Sequence, residues 1–115
     1  MKTTQTPVAS ASRHTPGPWF ANTMSDGSIL IHPRVGISVM AFTPRKAFPE
    51  DIPNARLIAA APELLEALRT AANTLAWAAQ EAEARKSLPK AVIGGIRHHA
   101  SQARTAIAKA EGRAE

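Results

Sequence analysis

Three groups of side chains in the 115-residue sequence have types and spacings that could do chemistry. The first is a stripe of cations. Lys90, Arg97 and Arg104 recur every seven residues, so on one helix they share a face. Regularly spaced cations of this kind track phosphates by displacing condensed counterions. A plainer role also fits, because the stripe follows an acidic segment. Glu63, Glu66, Glu81 and Glu83 precede it with only Arg69 among them, whereas no acid lies between Ala84 and Ala110. Two helices of opposite charge can simply pair, with both outer faces solvated. The second group is His98-His99. Adjacent helical residues diverge by about 100°, so the two cannot converge on one metal ion. Neither His14 nor His32 has a carboxylate at ligand spacing. A buried or capping histidine is the expected role, and no metal or other cofactor is expected. The third group is the serines and paired acids. None of the serines sits in a strand–turn–helix elbow. Glu63 and Glu66 fall at a helix N-terminus, where they favour the macrodipole. The glycines form no phosphate loop. The sequence predicts a protein that is not an enzyme, and any nucleic-acid contact is expected to be weak and electrostatic.

The elements that would position these groups divide the chain in two. Residues 1–13 are mostly Thr, Ser, Ala, Gln and Pro, and are expected to form a disordered leader. Residues 14–115 are expected to form a single α+β domain, β-rich over 14–50 and helical over 51–112. Four of the five aromatic residues lie in the β-rich part, and 19 of the 24 alanines lie beyond Asp51. With no cysteine there is no disulfide framework or thiolate site, and no apolar run is long enough to cross a membrane as a helix. The net charge of +5 permits an acidic partner without requiring one.

Strands are expected at residues 19–22, 29–32 and 37–42. The first two are joined by the Asp26-Gly27 turn and the last two by Pro33-Arg34-Val35-Gly36, giving a three-stranded antiparallel meander. A short helix follows, and Pro62 breaks it from a long helix that runs to about Arg85. After Lys86-Ser87-Leu88-Pro89, with Ser87 as N-cap, a last helix begins. Leu65, Leu68, Ala72, Leu75, Ala79 and Ala82 are spaced 3-4-3-4-3, and so are Ile93, Ile96, Ala100, Ala103, Ile107 and Ala110. Two such seams predict an antiparallel helical hairpin, with Gly94-Gly95 permitting a closer approach of the axes. Trp77 lies on the flank of the long helix. With Leu64, Ala71 and Ala78 it widens the apolar surface beyond what one seam can bury. A homodimer or higher homo-oligomer is therefore expected through these four residues, the alternative being a monomer with its sheet folded over Trp77.

Two segments carry a resemblance. His14-Thr15-Pro16-Gly17-Pro18-Trp19 and the run from Asn54 to Leu68, N-A-R-L-I-A-A-A-P-E-L-L-E-A-L, resemble the signatures of a family of small bacteriophage and prophage proteins. Residues 69–115 fall outside both signatures. The resemblance implies a phage or prophage origin and expression in the cytoplasm of a bacterial host, without supplying a biochemical activity. The expected role is a non-catalytic accessory protein that modulates a host or defence protein, the alternative being a binding module for an acidic ligand, nucleic acid or a nucleotide signal, on the stripe of Lys90, Arg97 and Arg104. Within the motifs, Pro16-Gly17-Pro18 would place Trp19 on the sheet. Asn54 would cap the helix carrying Arg56, and Arg56 would pair with an acid or approach the His14 segment.

Overall fold

Ile29, Ile31 and Pro33 are buried, and Leu30 and His32 between them are only half-buried. That alternation marks a strand with one face on a core. The computed structural model describes residues 14–34 and 41–113. The protein is α+β. Strands β1 (Trp19–Thr23), β2 (Ile29–Pro33) and β3 (Ala41–Phe42) form an antiparallel sheet in the order β1-β2-β3. Helices α1 (Asp51–Ala59), α2 (Ala61–Arg85) and α3 (Lys90–Ala110) follow. The chain divides into two compact units, Met1–Glu63 and Leu64–Glu115. The leader, the Val35-Gly36 half of the second turn and residues 37–40 of the third strand lie outside the described residues.

In the first unit the sheet packs on α1. Ile29, Ile31 and Ala55 are its buried residues, with Trp19, Ala21, Ala41 and Ala47 against them. The Asp26-Gly27 turn forms as its chemistry requires. Gly27 takes φ +88°, and one oxygen of the Asp26 carboxylate accepts both the backbone N–H and the hydroxyl of Ser28. Those bonds hold the Asp26 carboxyl below the usual carboxylate range, the hydroxyl first. Pro33, placed by its sequence in a turn, instead ends β2 opposite Trp19. Thr43 continues the pairing beyond β3. Its N–H donates to the Ile29 carbonyl and its hydroxyl oxygen accepts the Ile29 N–H, each at 3.0 Å.

α1 begins at Asp51, whose carboxylate reaches back to accept the Phe48 N–H at 2.8 Å and the Arg45 guanidinium at 2.9 Å. The Arg45 bond is the larger cause that holds the Asp51 carboxyl low. Asn54 is not the cap. It sits one turn into the helix, and its own N–H donates to the Glu50 carbonyl. The break before Pro62 falls at Ala60, as Pro62 dictates. Gly17 lies against that proline. A Cβ on Gly17 would stand 2.9 Å from the Pro62 Cβ, so the two motif segments meet where only glycine fits.

In the second unit, α2 buries Ala72, Ala79 and Ala82, and α3 buries Ile93, Ala100 and Ile107. Every one is a seam position, and the hairpin is antiparallel. Arg69 pairs with Glu111 near one end and Glu83 with Arg97 near the other. The same number of residues separates the two pairs on either helix, so the register does not slip. Lys86 ends α2 in the left-handed region, φ +52°, and Ser87 donates its N–H to the Ala82 carbonyl at 3.0 Å. Ser87 lies two residues ahead of the N-cap position of α3. The residue before α3 is Pro89, which supplies no side-chain cap.

Gly94 and Gly95 do not serve a close approach: a Cβ on either would meet nothing within 4 Å. The helix turns them away from the seam set by Ile93 and Ile96. Gly17→Ala is therefore expected to cost about 1–3 kcal/mol through overpacking. Gly94→Ala should stabilise by about 1 kcal/mol through helix propensity. Urea unfolding of the two variants beside the parent chain checks both signs.

Candidate functional site

The cation stripe lies along one side of the hairpin. Arg97, Ser101, Arg104 and Thr105 line a shallow groove of about 510 Å³, floored by Ala76, Ala100 and Ala108. Arg104 also borders a second depression, with Arg69, Asn73, Glu111 and Arg113. Lys90 stands with Arg97 at a third, beside the hairpin turn. The three cations share one side but not one state. Arg97 is paired with Glu83. Arg69 bridges Glu66 and Glu111, and Arg113 also reaches Glu111. Lys90 and Arg104 have no carboxylate within ion-pair distance among the described residues. The side is basic but partly neutralised.

The four residues expected at an interface separate into two places. Leu64, Ala71 and Ala78, seven apart, lie on one strip of α2. Trp77 is 63% exposed and stands nearly opposite the seam, not on its flank. Its neighbours on that face, Thr70, Asn73, Thr74 and Gln80, are polar. The histidines of the last helix are neither buried nor capping. Both are exposed, and the His99 Nδ1 lies 3.1 Å from Gln102 Oε1.

The motif residues close on themselves. Trp19 donates its indole N–H to the Thr15 carbonyl at 3.1 Å, the His14 Nδ1–H donates to the same carbonyl, and the His14 ring meets Trp19 edge-on. Arg56 is exposed and makes no ion pair among the described residues, so the pairing expected of it is not formed. No group of three metal-ligating side chains converges among the described residues.

A further surface was not singled out from the sequence. The face of the sheet turned away from Ile29 and Ile31 carries Phe20, Leu30, His32 and Phe42. Phe42 stands opposite Leu30 and is 63% exposed, and Phe20, opposite His32, is 38% exposed. His32 is fixed by two bonds, a Nδ1–H to the Pro33 carbonyl and a Nε2 that accepts from Asn22 at 2.6 Å. A neutral imidazole protonated on Nδ1 satisfies both. The period-two alternation through β1 and β2 is the signal that would have found this face.

The sequence from residue 1 to 114 matches the family described as Salmonella phage P22 protein Y8K6. The protein belongs to that phage protein family. No curated protein and no solved structure matches the chain. The family match takes in α3, so the basic last helix lies within the span of the P22 protein family although it falls outside both motif segments.

The ion pair that closes the hairpin gives this family member a titratable link. A hydrogen bond from Arg69, the main cause, holds the Glu111 carboxyl below its usual 4.5, with the charges of Arg69 and Arg113 adding to it against partial burial. A depressed carboxyl contributes stability above its unfolded value and loses it as pH falls through the folded one. Glu111→Gln should therefore melt below the parent protein at neutral pH. The gap should narrow below pH 4.5 and close once the parent's carboxyl is protonated. Thermal melts of the two chains across the acid range check this.

Proposed function

We propose that the protein is a non-catalytic phage accessory protein that binds and modulates a protein of its bacterial host, in the host cytoplasm, through the open face of its sheet. The observation that carries this reading is the exposure of Phe20 and Phe42 on that face, either side of Leu30 and His32. Two of the three phenylalanines in the chain stand there, Phe42 the more exposed. Large apolar side chains held at the surface by a hydrogen-bonded sheet are the ordinary material of protein–protein contacts. The charged groups support the same conclusion by what they already do. Asp26 and Asp51 hold turns, and Glu111 closes the hairpin. None of these carboxylates is left over for acid–base work.

The alternative, an acidic ligand on the basic helix, draws less support. One of its three cations already has Glu83 as a partner, and no aromatic ring lines the groove between Arg97 and Arg104. Stacking platforms for bases are missing there.

Affinity capture from phage-infected cells tests the reading, with parent protein and a Phe20→Ser/Phe42→Ser variant, each with and without nuclease. The expected result is a host protein retained by the parent after nuclease and lost to the variant. Equal capture by both, or capture that nuclease abolishes, would overturn it.

A further inference from the structure

The outer edge of β1 is a row of open backbone groups. Two bonds fix how the β1–β2 ladder alternates. The Arg34 N–H donates to the Pro18 carbonyl at 3.2 Å, and the Met24 N–H donates to the Ser28 carbonyl at 2.8 Å. Pro18, Phe20, Asn22 and Met24 therefore direct their backbone groups at β2, as every second residue of an antiparallel pair does. Trp19, Ala21 and Thr23 turn theirs the other way, where no strand lies among the described residues. None of these N–H groups and carbonyls finds a partner among the described residues. Edge strands are ordinarily guarded by a lysine, a proline, a bulge or a covering helix. β1, W-F-A-N-T, carries no charge and no proline, and its register with β2 runs without a bulge.

We infer that a second copy of the chain adds its own β1 to this edge, antiparallel and about a two-fold axis at Ala21. The open groups are disposed symmetrically about Ala21, so the strand is its own complement. In that register Trp19 pairs with Thr23 of the partner subunit, and Ala21 pairs with Ala21 of the partner subunit. Each such pair exchanges both of its bonds, and no outward N–H or carbonyl of β1 is left over. The same register sets Phe20 diagonal to Phe20 of the partner subunit, within reach for aromatic rings.

A second observation selects a copy of this chain over a strand from elsewhere. α1 packs on β1 and β2, with Ala55 in their shared core. At 100° per residue, Ile52 and Ile58 lie about 60° to either side of Ala55 around the helix. Each is 43% exposed. Two copies joined at β1 bring the centres of their α1 helices about two strand spacings apart, about 10 Å, the distance at which helices pack. A lone foreign strand would leave these isoleucines open. The contact uses the edge of the sheet rather than the face proposed for the host protein, and it forms without any host protein, so the two stand or fall independently.

Light scattering of the purified full chain at micromolar concentration is the first test. The expected mass is about 24 kDa, twice the chain's 12.2 kDa. A mass of one chain, or of three or more, overturns the inference. Ala21→Pro removes an outward N–H without removing a β1–β2 bond, so it should halve the mass and keep the parent's circular dichroism. Trp77→Glu, on the hairpin, should stay dimeric. A dimer that survives Ala21→Pro, or one that Trp77→Glu dissociates, puts the contact elsewhere and overturns the inference. Hydrogen exchange of the parent chain needs no variant. The amides of Trp19, Ala21 and Thr23 should exchange more slowly as concentration rises and the dimer fills. Fast exchange of all three in the dimer overturns the inference. Protection that is the same in the monomer also overturns it, because another segment of the chain then occupies the edge.

Discussion

Ala72 and Ala79, each 1% exposed, sit at the centre of the contact between α2 and α3, with Ala100 at 3% beside them. An alanine seam can close tightly but removes little apolar surface from water, since each residue contributes one methyl group. No large side chain in the described residues is fully buried. The rest of the second unit depends on that limit. The seam leucines, Leu65, Leu68 and Leu75, stay half-buried, and outer positions such as Leu64 and Val92 stay open. Ion pairs at both ends fix a register that smooth alanine faces specify only loosely.

Spacing alone was enough to find the seam, because a 3-4 repeat of apolar residues has one solution on a helix. It was not enough to say which side of the seam each neighbour occupies. Trp77 is two residues from Ala79 in sequence but about 160° from it around the axis, so sequence proximity to the seam misled. Gly94-Gly95 was misread for a similar reason. Glycine permits close approach, but whether a partner approaches depends on the direction in which the seam runs. Two expected caps failed because the helices start elsewhere. α1 begins at Asp51, a turn ahead of Asn54, and α3 begins at Lys90, with Pro89 rather than Ser87 directly before it.

In the first unit the strands and the Asp26-Gly27 turn could be read directly, since alternation and a left-handed glycine are local properties. The contact of Gly17 with Pro62 could not. It joins two segments far apart in sequence, and nothing local to either announces the other. Once seen, it gives the H-T-P-G-P-W segment a structural reason that needs no ligand. Its glycine fits a gap, and its tryptophan and histidine both bond to the Thr15 carbonyl. The exposed phenylalanines, with Ile52, Leu57 and Ile58 of α1, are then large apolar side chains of this unit that packing does not account for.

The open glycines at the start of α3 make the hairpin uneven along its length. At one end Arg69, Glu111 and Ile107 tie the helices together. At the other, α3 leaves Pro89 without a side-chain cap and meets two residues of poor helix propensity within its first two turns. Local opening follows the weakest backbone hydrogen bonds. The amide protons near Gly94 and Gly95 will therefore exchange with solvent well before those around Ala100 and Ile107. That opening stays confined to the first turns of α3, since Ile93 and Ile96 remain packed against Ala79 and Ala82 and Arg97 remains paired with Glu83.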